Sequence, residues 1–297
     1  MQRKLFIFLL ISGLCPSLLL AEDSHPTYLL WPESILTADK DQLGDELPRR
    51  ENETPPAIRV TNIKTPRIKR FDPPANKANG SAVLIIPGGA YRYAVVGKEG
   101  AEIAEWFNSI GVTAFVLYYR NPTNGLENDW LAPVQDAQQA IRLIRHRAQE
   151  WKLDPQRIGI IGFSAGGNAA AIASTKMDVP VLKGEQSEFS DVSARPDFTM
   201  LLYPWKLLNQ DETGLREEVV IDQQTPPSFL VHTHDDGVTS LSSVEYYKAM
   251  KRLNRPAEIH LYQSGGHGYG LRSVKNSNVH TWTDRATAWL KVRGLLK

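Results

Sequence analysis

The sequence predicts an α/β protein built on a single, mostly parallel, doubly wound sheet flanked by helices. Apolar runs of strand length recur along the chain, and amphipathic helical patterns separate them. An apolar run without alternation, such as Ala82–Ile86, is typical of a parallel strand that helices bury on both faces. The composition, 42% hydrophobic and 23% charged, is that of a globular protein with a substantial core. We therefore expect one domain with helices on each side of the sheet.

The alternation of strands and helices begins at Ala57 and defines a predicted domain over residues 57–297. The predicted strands are Ala82–Ile86, Val112–Tyr119, Arg157–Gly162, Phe198–Tyr203, Ser228–His232 and Glu258–Tyr262. The predicted helices are Glu99–Ser109, Val134–Trp151, Ala165–Ser174, Val244–Leu253 and Thr281–Leu296. Only the short insertion 206–224 separates the fourth predicted strand from the fifth, so we expect a short cap and no separate lid domain.

Residues 1–21 have the pattern of a cleaved signal peptide. Arg3 and Lys4 precede an almost wholly apolar run, and Ala21 follows it just before charged sequence. The run is interrupted by glycine and proline and is shorter than the roughly 20 apolar residues of a membrane span. We therefore expect an exported protein, periplasmic or extracellular, without stable membrane insertion after cleavage. An uncleaved anchor, or a lipid anchor at Cys15, is the alternative.

The next segment, 22–56, is charged and rich in proline, and we expect an irregular N-terminal arm that docks through its apolar patch Tyr28–Trp31.

The one cysteine lies in the predicted leader, so the mature chain would have no disulfide. The 34 basic and 33 acidic residues leave a net charge of +1. Such a balance offers no excess charge for a phosphate backbone, which argues against a nucleic-acid partner.

A candidate nucleophile lies where the predicted strand Arg157–Gly162 meets a helix of small residues. The sequence there is Gly162-Phe163-Ser164-Ala165-Gly166. A serine on a tight strand-to-helix turn takes a strained conformation that exposes its hydroxyl, and glycines on either side leave room for the turn. Ser164 is therefore the predicted nucleophile. The alternative is a glycine-rich turn with a bystander serine.

The loop Pro87–Tyr91 directly follows the predicted strand Ala82–Ile86. Glycines there let the backbone curl so that N–H groups face the serine, as an oxyanion hole requires. We predict Gly89 and Ala90 as donors from this loop and Ala165 as the donor beside the nucleophile. An ordinary tight turn is the alternative.

The predicted acid and base follow the last two predicted strands. Asp236 comes after Ser228–His232, and the glycine-flanked His267 comes after Glu258–Tyr262. A serine hydroxyl needs a histidine to take its proton and a carboxylate to hold the imidazole in the right tautomer. Asp235 is the alternative acid. His232 and His234 with Asp235 lack a third ligand at a characteristic spacing, so we expect no metal.

Eight short motifs together carry a family resemblance. They are Leu30-Trp31-Pro32, Ile86-Pro87-Gly88-Gly89-Ala90-Tyr91, Ala132-Pro133 with Asp136-Ala137, Arg157-Ile158-Gly159, Gly162 to Gly167, Arg195-Pro196-Asp197, Tyr203-Pro204-Trp205 and Gly265 to Gly270. Through them the chain resembles the α/β-hydrolase superfamily, specifically the acetyl esterase/lipase-like branch similar to bacterial acetylxylan and feruloyl esterases. The match covers roughly Tyr28 to Lys297. Relatives commonly carry histidine where this chain has Asn168, and often a third glycine where it has Ala90.

The resemblance implies an α/β-hydrolase catalytic domain that cleaves short acyl esters, especially acetyl groups on polysaccharides, without a cofactor. The expected partner is an acylated carbohydrate or a small ester. We expect Tyr91, Tyr203 and Trp205 to line the pocket, with aromatic core packing as the alternative. A serine peptidase or amidase, a feruloyl esterase and a non-catalytic binding protein remain alternatives. A xylanase would need paired carboxylates, and the sequence identifies no such pair.

Overall fold

The computed structural model describes residues 25–32, 42–182, 189 and 191–296. The strands are β1 Thr27–Leu29, β2 Asp45–Glu46, β3 Val60–Thr61, β4 Arg67–Phe71, β5 Ala82–Ile86, β6 Thr113–Tyr118, β7 Ile158–Phe163, β8 Phe198–Leu202, β9 Ser228–Thr233 and β10 Ala257–Tyr262. The helices are α1 Glu102–Ser109, α2 Leu131–His146, α3 Ala165–Thr175, α4 Leu241–Arg252 and α5 Trp282–Val292. A π-helical turn, Gly97–Ala101, leads into α1, and a 3-10 turn, Val279–Thr281, leads into α5.

Eight strands form the main sheet in the order β1-β4-β6-β5-β7-β8-β9-β10. From β6 to β10 every neighbouring pair is parallel, whereas β1 and β4 add antiparallel strands at one edge. This topology confirms the predicted fold class, a mostly parallel sheet flanked by helices. The carboxyl ends of β5, β7, β8, β9 and β10 lie at one edge of the sheet, where the loops that follow them converge.

The two faces of the sheet bury separate hydrophobic clusters. In β5, Leu84 and Ile86 face a cluster with residues of α2, α3 and α4, and Val83 and Ile85 face a cluster with residues of α1 and α5. All five residues of β5 are fully buried. The continuous apolar run in the sequence is thus explained by helices on both faces of a central strand.

The N-terminal segment is more ordered than the expected irregular arm. Thr27–Leu29 pairs with β4 as the outermost strand of the main sheet, and β2 pairs with β3 in a small second sheet. The patch Tyr28–Trp31 does pack on the domain, and the buried Trp31 donates from Nε1 to Asp136 Oδ1 at 2.7 Å. The predicted signal peptide, 1–21, lies outside the described residues.

Strand β4 has no counterpart among the predicted elements. Its sequence, Arg-Ile-Lys-Arg-Phe, carries three cations, and only two of its five residues are buried. An antiparallel strand near a sheet edge tolerates charge on its solvent side, so it lacks the apolar run that identifies a central strand.

Helix α2 begins at Leu131, earlier than the predicted Val134, and ends at His146 rather than at the predicted Trp151.

The insertion 206–224 folds against the helical layer rather than forming a domain of its own. Leu208 and Leu215 form an isolated antiparallel bridge, Lys206 Nζ pairs with Asp129 at 3.1 Å, and Val220 donates to Thr175 of α3. Within the described ranges, none of the helices has the length and apolar character needed to cross a membrane.

Candidate active site

Ser164 lies on the sharp turn between β7 and α3 with φ of 53° and ψ of −118°, a conformation that L-residues rarely adopt. A Cβ added at Gly162 would lie 2.1 Å from the carbonyl oxygen of Gly166. One added at Gly166 would lie 2.0 Å from the carbonyl oxygen of Ile86. Both distances are far inside van der Waals contact, so glycine is required on each side of the serine. The turn directs the Ser164 side chain into a cleft above the sheet edge.

Ser164, His267 and Asp236 come together from three separate loops. His267 Nε2 lies 2.8 Å from Ser164 Oγ, and His267 Nδ1 lies 2.8 Å from Asp236 Oδ2. The Asp236 side chain is fully buried, whereas the His267 side chain is 32% exposed. In this arrangement Ser164 Oγ–H donates to Nε2 and Nδ1–H donates to the carboxylate. The geometry permits proton transfer from the serine to the histidine while the carboxylate holds the ring.

Asp236 has two further partners besides His267. Val238 N–H donates to its Oδ1 at 2.7 Å, and His232 Nε2 lies 3.2 Å from its Oδ2. Burial alone would raise the pKa of Asp236, but the hydrogen bonds from His232 and His267 lower it to about 2. The carboxyl group therefore stays ionised throughout the neutral range, as a carboxylate that orients an imidazole must.

The sequence analysis considered His232 only as a possible metal ligand and missed its contact with Asp236. It is fully buried at the end of β9, and its Nδ1 lies 2.9 Å from Ser243 Oγ. Its Nε2 faces two acceptors, Asp236 Oδ2 and the carbonyl oxygen of Val238, so Nε2 carries the proton and Nδ1 accepts from Ser243. The described residues contain no group of three or more His, Cys, Asp and Glu side chains arranged to hold a metal.

Asp235, the alternative acid, contacts the loop before His267 and not the imidazole. Its exposed carboxylate accepts from the backbone N–H groups of Gly266 at 2.9 Å and Gly265 at 3.2 Å. The Gly266 bond is the main cause of the lowered pKa of Asp235. Asp235 thus holds the loop that carries His267, and the contact with the imidazole itself is made by Asp236.

The loop after β5 lies beside Ser164. Gly89, Ala90 and Tyr91 all have positive φ, at 134°, 53° and 57°. Gly89 and Ala90 line the same cleft as Ser164. Ala165 is the first residue of α3, so its N–H has no acceptor within the helix. The three predicted donors therefore lie next to the serine, and Ala90 takes the left-handed conformation that a third glycine would adopt without strain.

Glu99, which the sequence analysis placed in an ordinary helix, is a second missed residue. It lies in the π-helical turn and is only 3% exposed. Its carboxyl group accepts from Gly88 N–H at 2.8 Å and from Tyr203 O–H at 3.0 Å, and Tyr203 Oη accepts from Gly270 N–H at 3.1 Å. Burial raises the pKa of Glu99. One carboxyl group thus connects the loop after β5 with the loop that carries His267.

The three predicted pocket aromatics occupy different positions. None of the three belongs to the described lining of the cleft, and Tyr91 and Tyr203 are almost fully buried. For these two the structure favours the alternative, aromatic core packing. Tyr91 O–H donates to Asn168 Oδ1 at 2.7 Å, which explains how asparagine serves at this position. Trp205 is half-buried, packs edge-on against Tyr91 and donates from its backbone N–H to the carbonyl oxygen of Ser164.

The cleft in front of Ser164 has a volume of about 260 Å³. Besides Ser164, its described lining residues are Arg50, Arg59, Gly89, Ala90, Tyr93, Val95, Lys98, Glu99, His267 and Gly268. Three of them are cations, and Arg50 comes from the N-terminal segment, for which the sequence analysis predicted no role in the site. Long-range contacts of this kind leave no local pattern in a sequence.

Comparisons with known proteins find one family and several related proteins. The family model named BD-FAE matches residues 70–202. The crystal structure of an acetyl ester-xyloside bifunctional hydrolase from Caldicellulosiruptor lactoaceticus is similar, with a TM-score of 0.69 and 30% identity. That match covers 86% of this chain and 98% of the other.

Two curated relatives are similar over part of their length. An acetylxylan esterase of Xylanibacter ruminicola is 29% identical over 65% of this chain and 42% of its own length. The endo-1,4-beta-xylanase B of Butyrivibrio fibrisolvens is 28% identical over 63% of this chain and 32% of its own length. The chain therefore spans less than half the length of each of these two relatives.

Proposed function

Because this chain belongs to the α/β-hydrolase superfamily, in the branch that the BD-FAE family model matches, we propose that it is a serine esterase that removes short acyl groups, foremost acetyl, from polysaccharides such as acetylated xylan. The observation that carries the proposal is the line of contacts from Ser164 through His267 to Asp236, at 2.8 Å each. A hydroxyl, an imidazole and a buried carboxylate in this order are the machinery of acyl transfer.

In the proposed mechanism, Ser164 Oγ attacks the acyl carbonyl carbon and its proton passes to His267 Nε2. The tetrahedral oxyanion accepts hydrogen bonds from the N–H groups of Ala165 and of Gly89 or Ala90, and each such donor lowers the barrier by roughly 3–4 kcal/mol. The intermediate then collapses, and the leaving alcohol takes the proton from Nε2. A water molecule repeats these steps on the acyl-enzyme and releases the carboxylic acid.

The names of the similar proteins support an acetylated carbohydrate as the substrate. One relative is called an acetylxylan esterase, and the similar crystal structure is that of an acetyl ester-xyloside hydrolase. We also propose export, because residues 1–21 have a signal-peptide pattern and a polysaccharide lies outside the cytoplasm. A cleft of about 260 Å³ suits a short acyl group on a sugar better than it suits a long lipid chain.

The test measures acetate release from acetylated xylan beside hydrolysis of p-nitrophenyl acetate. We expect the wild type to act on both substrates and Ser164→Ala to act on neither, with unchanged circular dichroism and thermal unfolding. Turnover by Ser164→Ala would contradict the proposed nucleophile. Hydrolysis of p-nitrophenyl acetate without release from xylan would retain the esterase and reject the xylan substrate. Feruloyl esters and short peptides would then be the next substrates to test.

A further inference from the structure

Resting on the proposed function, we propose that this esterase prefers esters whose alcohol part carries an anionic group, a carboxylate or a sulfate on a sugar, and that Arg50 binds that group. The starting observation is the charge of the cleft. Among the described residues that line it, Arg50, Arg59 and Lys98 are basic, and the one carboxyl group belongs to the buried Glu99.

The alcohol part of the substrate lies on this side of Ser164. In the mechanism, His267 returns its proton to the leaving alcohol, so the alcohol must lie against His267 Nε2. His267 and the adjacent Gly268 both line the cleft, together with the three cations. The cleft volume of about 260 Å³ is below the roughly 300–1,000 Å³ of drug-sized ligand sites, which fits one sugar ring.

Nearby carboxylates neutralise the three cations only in part. Arg59 and Lys98 share a single carboxylate, Glu53, which lies 2.9 Å from Lys98 Nζ. Arg272 also approaches Glu53, at 3.6 Å, but has its own partner in Glu102. The carboxyl group of Glu99 is buried, and its two oxygens accept hydrogen bonds from Gly88 N–H and Tyr203 O–H.

Arg50 is the cation best placed to meet a ligand. Its side chain is exposed, and Nη2 donates to Tyr93 Oη at 3.0 Å, which holds the guanidinium at the cleft wall. Within the described part of the chain Arg50 forms no ion pair with a carboxylate. A guanidinium with free donors matches a carboxylate or sulfate through paired hydrogen bonds.

The position of Arg50 also depends on the N-terminal segment. Glu53, three residues later, pairs with Arg59 and Lys98, and Pro55 O accepts from Arg272. These contacts fasten the segment that carries Arg50 across the cleft. Arg50 lies before residues 70–202, the part matched by the family model, so this preference is a property that the N-terminal segment adds to the domain.

The test compares four acetylated methyl glycosides that differ at one position: the glucuronic acid, its glucuronamide, the glucose 6-sulfate and glucose. The acid and the amide have nearly the same shape but differ in charge. We expect kcat/KM for the acid to exceed that for the amide by about fivefold, mainly through KM, and the ratio to fall at high salt. In Arg50→Gln the ratio should fall to about one to two, and in Arg50→Glu below one.

Arg49→Gln is the matched control, because Arg49 is the adjacent basic residue and pairs with Glu46 outside the cleft. Its acid-to-amide ratio should equal that of the wild type. Two results would overturn the inference. One is a wild-type kcat/KM for the acid equal to that for the amide, together with a kcat/KM for the sulfate equal to that for glucose. The other is an acid-to-amide ratio that Arg50→Gln leaves unchanged. A higher rate for the sulfate than for the acid would support it and identify sulfate as the anion. Hydrolysis of the neutral esters alone rejects only this inference, whereas no hydrolysis of any ester, p-nitrophenyl acetate included, rejects the proposed function.

Discussion

The cleft has a floor, formed by the loops that carry Ser164 and Gly89, and a wall, formed by Arg50, Arg59 and Lys98. The two are built in different ways. At the floor, the backbone itself sets the geometry: Ser164 and Gly89 have positive φ, and neighbouring glycines allow contacts that no side chain would permit. At the wall, long charged side chains do the positioning, with Lys98 and Glu53 in an ion pair and Arg50 held by a tyrosine hydroxyl. A backbone-built floor is preorganised for the transition state, whereas a wall of ion pairs responds to pH and salt.

Apart from removal of the nucleophile, the largest loss of kcat is expected for Asp236, the carboxylate that contacts His267. Asp236→Asn should lower kcat by roughly 10³–10⁴-fold, because an amide N–H facing His267 Nδ1 holds the imidazole in the wrong tautomer. Asp235→Asn should cost about tenfold or less, since Asp235 bonds only the N–H groups of Gly265 and Gly266. The measurement is kcat for p-nitrophenyl acetate. The reverse order of effects would identify Asp235 as the acid.

The second prediction concerns the turn at the nucleophile. Gly166→Ala should destabilise the protein by about 3 kcal/mol or prevent folding, because the new Cβ meets the Ile86 carbonyl oxygen, a backbone atom that cannot move aside. Gly214→Ala is the control, since nothing described lies within 4 Å of a Cβ there. Urea unfolding measures both. Equal stability of the two variants would show that the floor is more adaptable than its geometry indicates.

The same contrast explains what the sequence could predict. Ser164 stands among glycines because backbone crowding requires glycine, the glycines that flank His267 have positive φ, and both requirements are visible in the sequence. The roles of Glu99, His232 and Arg50 became visible only in the structure, since burial and contacts between distant segments leave no local signature. The central strands were predicted for a related reason: burial on both faces produces apolar runs, whereas the antiparallel strands β1 and β4 carry polar residues.

The third prediction tests whether the buried side chain of Glu99, which bonds the loop after β5, contributes to kcat. Glu99→Gln should lower kcat about tenfold with little change in KM, because the amide can accept from Gly88 N–H or from Tyr203 O–H but not from both. Glu105→Gln is the control, an exposed glutamate on the following helix. Steady-state kinetics with p-nitrophenyl acetate gives both parameters. An unchanged kcat would mean that the oxyanion loop holds its shape without Glu99.

The smallest effect belongs to the wall and depends on pH. Burial alone would raise the pKa of Glu53, but hydrogen bonds from Arg59 and Lys98 lower it from 4.5 to about 2. A pKa that is lower in the folded state means that ionised Glu53 stabilises the fold above pH 4.5, and that this stabilisation is lost as the pH falls towards 2. Glu53→Gln should therefore cost about 1 kcal/mol at pH 7 and progressively less in acid.

Urea unfolding of the wild type and Glu53→Gln at neutral pH and at several acidic values measures this difference. Glu46→Gln serves as the control, because its exposed pair with Arg49 should contribute almost nothing at any pH. A difference between wild type and Glu53→Gln that stays constant with pH would assign the effect to side-chain shape rather than charge.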